Sequence, residues 1–169
     1  MLRPSTLSLL TFVAFCMFGC AANGPLFSGP TPLDPTSSEI VVYRLDKFAR
    51  GGATYFVHLD DTEVARLKNA GFTSIPTSPG THALEIRASA MQSFKPMKVL
   101  AEAKAGVRLF FRFEPSVSGS PVVLPNLIFI PVGFGLEQVP ENQALIELRT
   151  LWASPSSPDT FNDMMCSGE

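Results

Sequence analysis

From Glu39 onward, apolar and polar residues alternate with a period of two, the spacing of strands that bury one face. Ile40 and Val42 fall on one side and Val41, Tyr43 and Leu45 on the other, so this strand is apolar on both faces and belongs at the centre of a sheet. Tyr55, Val57 and Leu59 share the next face, opposite Thr54 and His58. Asp60-Asp61-Thr62 supplies turn chemistry, and Glu63 to Lys68 returns as the second arm of a hairpin. Asn69-Ala70-Gly71 breaks the pattern before a short strand at Phe72 to Ile75, and Pro79-Gly80 marks another turn. Leu84, Ile86 and Ala88 then oppose Ala83, Glu85 and Arg87, and Val99, Ala101 and Ala103 oppose Lys98, Glu102 and Lys104. After a turn at Gly106, Val107, Leu109, Phe111 and Phe113 are expected to point inward together, away from Arg108, Arg112 and Glu114. About seven short strands with regular turn signals predict a mainly β chain folded as an antiparallel β-sandwich over residues 39–152.

Two stretches depart from this rhythm. Residues 121–135, PVVLPNLIFIPVGFG, carry no charge and are interrupted by Pro125 and Pro131. They read either as an apolar excursion that meets a membrane or partner through Leu127, Phe129 and Ile130, or as a strand at Leu127 to Ile130 buried in the domain. After Pro140, the residues Ala144, Leu145, Leu148, Leu151 and Trp152 recur on one helical face. This predicts one C-terminal amphipathic helix, with Glu141 in its first turn and Arg149 in its last, and with Leu145, Leu148 and Trp152 buried. Residues 153–169, rich in Ser and Pro, read as a disordered tail.

The N-terminus reads as an address. Arg3 precedes an uncharged run from Leu7 to Phe18, too short to span a bilayer and of the size of a signal core. It ends in Met17-Phe18-Gly19-Cys20, which resembles the bacterial lipobox, in which the cysteine receives diacylglycerol and becomes the new N-terminus. The alternative is an ordinary secretory signal or signal anchor with Cys20 incidental. Residues 20–38, with Pro25, Pro30, Pro32 and Pro35, read as a tether holding the domain clear of the membrane. Ala21 rather than aspartate after Cys20 favours an outer-membrane location facing the periplasm if the source is Gram-negative.

Composition narrows the classes of function. The 169 residues carry 15 acidic and 13 basic side chains, a net charge of −2, which argues against a nucleic-acid-binding surface. Cys16 would leave with the signal and Cys20 would be consumed by the lipid, so Cys166 alone remains and an internal disulfide framework is excluded. Two histidines, His58 and His82, lack further ligands at metal-binding spacing, so no metal and no cofactor is expected. His58 with Asp60 and Asp61 would form a carboxylate–imidazole cluster, although the two aspartates are better explained by the turn. No nucleophile elbow occurs, Gly133-Phe134-Gly135 lacks the third glycine of a nucleotide fingerprint, and no catalytic residue is assigned.

The succession Ile40-Val41-Val42-Tyr43-Arg44, the hairpin Tyr55 to Leu67, Leu67-Lys68-Asn69-Ala70-Gly71-Phe72, Pro79-Gly80-Thr81-His82-Ala83-Leu84 and Leu136-Glu137-Gln138-Val139 resembles a bacterial lipoprotein family catalogued as domain of unknown function 2846. The likeness covers residues 39–152 and lies in the order and spacing of these pieces. It departs at Asp60-Asp61-Thr62, where a glycine would be expected. The resemblance implies a small exported β domain without known chemistry. The sequence therefore supports a lipid-anchored, non-enzymatic binding or scaffold module of the bacterial cell envelope, with an envelope protein as partner. A periplasmic carrier of a small apolar ligand, motivated by the phenylalanines, and a hydrolase with a dispersed site are the alternatives.

Overall fold

The computed structural model describes residues 21–47, 51–88, 95–117, 122–124, 127–129 and 132–155. The chain runs β1 (Ser38–Arg44), β2 (Tyr55–Leu59), β3 (Thr62–Leu67), β4 (Gly71–Thr77), β5 (Gly80–Ala88), β6 (Met97–Ala103), β7 (Arg108–Val117), β8 (Val122–Leu124), β9 (Leu127–Phe129), β10 (Val132–Val139), α1 (Glu141–Leu148) and β11 (Trp152–Ala153). Two sheets form the sandwich, one in the order β10-β7-β1-β4-β11 and the other in the order β3-β2-β5-β6. Among the described residues the sandwich thus has nine strands rather than about seven, and it is mostly rather than wholly antiparallel. β1 lies parallel to β7, and β11 lies parallel to β4.

The doubly apolar β1 sits at the centre of its sheet, as its pattern demands, and every residue in it is buried. Ile40 and Val42 face the second sheet and join a core with Tyr55, Val57, Leu67, Leu84, Ile86, Ala101, Phe111 and Phe113. Tyr55, Phe113 and Phe134 fill the space between the sheets, with ring centroids 4.7 to 5.6 Å apart. Val41 and Tyr43 face the other way, into a smaller cluster with Phe110, Ala144, Leu148 and Leu151 beneath α1. Burying both faces of β1 therefore requires a third layer, which α1 supplies.

Leu109, Phe111 and Phe113 point inward as their alternation predicts, but Val107 does not and is 39% exposed. Its N–H bonds to Lys104 O in the turn before β7 begins, so it lies outside the period-two register. Leu148 is buried and Leu145 partly so, but Trp152 is 44% exposed. The reason is that α1 stops at Leu148. Leu151 N then bonds Leu148 O, and Trp152 N bonds Ala70 O, which takes Trp152 off the helical face into β11. Arg149 closes the helix rather than occupying its last turn.

The proline-rich segment does not run free. Ala21 bridges Asn69, Leu26 bridges Trp152, and Gly24 N, Phe27 N and Pro25 O bond to Ala153 O, Leu151 O and Ala153 N. Phe27 packs edge-on against Phe72 at 5.3 Å. The chain then crosses the outer face of the five-stranded sheet, and Arg108 donates to Thr31 O on the way. Prolines exclude a strand from a sheet interior but not from its edge, which is where these lie. The expected tail is likewise ordered at its start, since Ser154 N bonds Phe72 O and Arg66 N bonds Pro155 O. Residues 156–169 lie outside the described residues.

Candidate functional site

The sandwich has two distinguishable ends. β1 rises to Arg44, which pairs with Gly71, the first residue of β4, and the link from β3 through Lys68-Asn69-Ala70 joins the two sheets there. Because β7 runs parallel to β1, its C-terminal end at Val117 points the same way. The structure thus brings to this upper end the bridge of Ala21 to Asn69 and the paired residues Val117 and Val132. Between those two residues β8 and β9 pair only with each other, from Val122↔Phe129 to Leu124↔Leu127, and join neither sheet. A strand does form at Leu127–Phe129, but its backbone pairing belongs to a separate hairpin rather than to the core sheets. Ile130 and Cys20, the other two site residues expected from sequence, lie outside the described residues.

The lower end holds the clearest polar cluster. Asp60 and Asp61 form the two-residue turn between β2 and β3, both at positive φ (50° and 65°). This is the type I′ geometry that matches strand twist, and aspartate tolerates it better than most residues. Asp60 is further held by its own carboxylate, whose Oδ1 accepts from Ala83 N at 2.8 Å while Oδ2 lies 2.7 Å from His82 Nδ1. It is therefore His82, and not His58, that meets Asp60. His58 instead pairs in register with Glu63 and Glu85 on the neighbouring strands.

With Thr77 Oγ1 at 3.2 Å from His82 Nε2, the group has the outline of an acid–base–hydroxyl triad. The chemistry is different. His82 Nε2 lies closer to the Ser78 carbonyl, at 2.9 Å, so that nitrogen donates and keeps no lone pair for a nucleophile. Both ring nitrogens face acceptors, which favours the imidazolium. Hydrogen bonding to Asp60, then to Ser78 O, raises the His82 pKa above its ordinary value. The bond from His82, then that from Ala83 N, lowers the Asp60 pKa. The arrangement clamps the β2–β3 turn to the β4–β5 turn.

A second network docks α1. Tyr43 donates its hydroxyl to Glu147 Oε2 at 2.6 Å, and Arg112 reaches Glu147 at 2.8 Å, Glu137 at 3.0 Å and Glu114 at 3.4 Å. Burial, then the Glu147 carboxylate, pushes the Tyr43 hydroxyl pKa well up. Burial also pushes Glu147 up, but hydrogen bonds from Tyr43 and Gln143 and the Arg112 charge outweigh it and hold the carboxyl below its usual value. Tyr43, Arg112 and Glu147 are committed to the helix–sheet contact, while Glu114 and Glu137 hold Arg112 from within the sheet. At the upper end of the core, the buried Arg44 donates to Ala53 O at 2.7 Å and lies over the Tyr55 ring.

The crossing of residues 25–31 over the sheet leaves a groove of about 260 Å³ lined by Phe27, Val41, Phe72 and Phe110, with the Glu39–Arg108 ion pair at one side. Sequence reasoning missed this groove, because nothing in a Pro/Gly/Ser run shows where it docks. Among the described residues, no three His, Cys, Asp or Glu side chains stand together as a metal site, and no helix is long and apolar enough to cross a membrane. A comparison with known protein families, curated proteins and solved structures gives no match to this chain.

Proposed function

We propose that this chain is a lipid-anchored, non-enzymatic binding or scaffold module of a bacterial cell envelope, held by diacylglycerol on Cys20. The observation that carries this reading is the signal core that ends at Gly19-Cys20, immediately before a hydrogen-bonded β domain that begins at Ala21. The site chemistry is compatible with it, since the His82 and Arg112 clusters are occupied in joining turns and in docking a helix. If the source is Gram-negative, Ala21 at the position after the cysteine favours an outer-membrane location facing the periplasm. Replacing Cys20 with serine tests the anchor. The variant should lose the diacylglycerol mass and leave the membrane fraction, and a variant still correctly cleaved and fully membrane-bound would refute it.

The groove under residues 25–31 favours a second reading, a carrier of a small apolar ligand. Its volume lies just below the ~300–1,000 Å³ of most ligand pockets, so a lipid-sized ligand would have to lift the covering segment. Native mass spectrometry of the purified protein separates the two readings, because a carrier retains a ligand-sized adduct.

A further inference from the structure

Where a sheet ends decides what can be added to it. On one side of the sandwich both edges are occupied. Residues 24–27 line β11, and β3 meets the chain after it through Lys68 N to Ser154 Oγ and Arg66 N to Pro155 O. On the other side, among the described residues, β6 pairs only with β5 and β10 only with β7. β6 runs for seven residues without a proline or a register shift, two common devices that blunt an edge. Its remaining deterrent is charge, and the charges are arranged to attract a copy of itself.

The backbone of this edge turns outward at alternate residues. Asp60 N donates to Ala83 O at 2.9 Å and Ala83 N donates to Asp60 Oδ1 at 2.8 Å, so the polar groups of Ala83 point toward β2. Ala83 stands opposite Leu100 across the β5–β6 ladder. Opposite residues in an antiparallel ladder aim their groups either at each other or away from each other. Leu100 therefore aims its N–H and C=O out of the sheet, and Lys98 and Glu102 do the same. The side chains of these three residues are exposed, Leu100 to 70%.

Antiparallel pairing of β6 with the β6 of a second copy, centred on Leu100, satisfies these groups. Leu100 then meets its own counterpart, and each Lys98 lies opposite the Glu102 of the other copy. Centring the pair on Ala101 instead sets Lys98 against Lys104 twice, and centring it on Val99 leaves Glu102 opposite Pro96. Charge thus selects the Leu100 register. The other open edge, β10, offers no such match, because its one charged residue, Glu137, is held by Arg112. Beside β6 lies a groove of about 390 Å³ whose lining includes Leu100, Leu109 and the 39% exposed Val107, which gives an incoming strand apolar surface to cover.

We propose that the chain forms a two-fold dimer in which two β6 edges join the four-stranded sheets into one continuous sheet of eight strands. The inference does not depend on the lipidation of Cys20.

The chain from Ala21 onward contains the whole described fold and omits the apolar signal core, and sedimentation equilibrium reads its mass. The wild type should be a dimer. Lys98→Glu and Glu102→Lys each turn both cross-strand pairs repulsive, so either should raise the dimer Kd by roughly 10-fold or more. An equimolar mixture of the two variants should restore the dimer, because one copy then presents two negative charges to two positive ones. Lys98→Glu also meets Glu85 across the ladder of its own sheet, whereas Glu102→Lys faces Thr81, so the second variant tests assembly free of that contact. Circular dichroism establishes that each is folded. In a Cys166→Ser background, Leu100→Cys should form a disulfide-linked dimer on oxidation, since paired Cα atoms about 5.5 Å apart lie within the ~4.4–6.8 Å that a disulfide spans. Lys98→Cys should not, because its counterpart lies roughly 13 Å away along the strand. Unfolding of dilute, dissociated protein does not sense this edge, so Leu100→Ala should weaken assembly without lowering the stability of the monomer. A monomeric wild type overturns the proposal. So does a dimer that both charge variants leave intact, a mixture that stays monomeric, or equal cross-linking at positions 98 and 100.

Discussion

Truncating Phe113 to alanine tests whether the space between the sheets is the true core. The side chain is fully buried, packs against Tyr55 at 4.7 Å and stacks on Phe134 at 5.5 Å with planes 3° apart. Deleting a buried phenylalanine costs about 3–5 kcal/mol through lost transfer energy and the cavity left behind. Two aromatic contacts, each worth ~0.5–1.5 kcal/mol beyond area, place the expected loss toward the upper part of that range. For a domain of this size, such a loss lowers the melting temperature by roughly 10–20 °C. Phe111→Ala, on the same buried face, should behave alike. Leu100 lies on β6 but is 70% exposed, so Leu100→Ala should change stability by less than ~0.5 kcal/mol. The measurement is urea and thermal unfolding of the mature, unlipidated protein. Equal effects of Phe113→Ala and Leu100→Ala would refute the assignment of inner and outer faces.

The His82–Asp60 clamp makes stability depend on pH. The His82 pKa is raised on folding, so its contribution is complete below about 6.5 and is lost as pH rises through the higher folded value. The Asp60 pKa is lowered, so its contribution is complete above about 3.9 and is lost as pH falls through the lower folded value. The stability difference between wild type and His82→Gln should therefore be largest between about pH 4 and 6.5, and a difference that grows from pH 6 to 9 would contradict the clamp. Asp61→Gly should stabilise the turn by about 0.5 kcal/mol by relieving its positive φ, whereas Asp60→Gly should destabilise it by removing the bonds to His82 and Ala83; denaturant midpoints report both. Arg44→Ala should cost about 3–5 kcal/mol because it opens a cavity and orphans Ala53 O, while Arg44→Met keeps the volume, removes a buried charge and should cost less in the same unfolding assay.

The strands were legible wherever one residue in two was apolar. β5, β6 and most of β7 follow from alternation alone, because a half-buried strand leaves no freedom in which side chain faces the core, and β1 follows from being apolar on both faces. The pattern failed where backbone bonding, not burial, decides the structure. β10 mixes Val132, Gly133, Phe134, Gly135 and Leu136 without alternating charge, and only its ladder with β7 makes it a strand. The helical period over Ala144 to Trp152 was real, yet the helix ended a turn early because Trp152 N found Ala70 O at 2.9 Å. The aspartate turn points along the chain to His58, but the partner of Asp60 is His82, 22 residues away, and spacing along the chain carries no sign of that meeting.

The proline-rich segment shows why composition misleads about edges. The outer edge of β4 would present unpaired N–H and C=O groups, a template for aggregation. β11 covers it with only two residues, and residues 24–27 then cover β11 through Gly24 N, Pro25 O and Phe27 N. Pro25 accepts from Ala153 N and lacks an N–H, which is tolerated at a sheet edge but not inside a sheet. Gly71 fits the crowding beneath this edge because a Cβ there would collide with Ser154 Oγ, the Lys68 carbonyl and Ala22. Prolines that exclude a segment from a sheet interior thus suit it to terminate a sheet. The same docking fixes the start of the domain at the residue next to Cys20. A change that frees residues 24–27 from β11 should therefore expose the outer edge of β11 and, under the proposed anchor, lengthen the tether together.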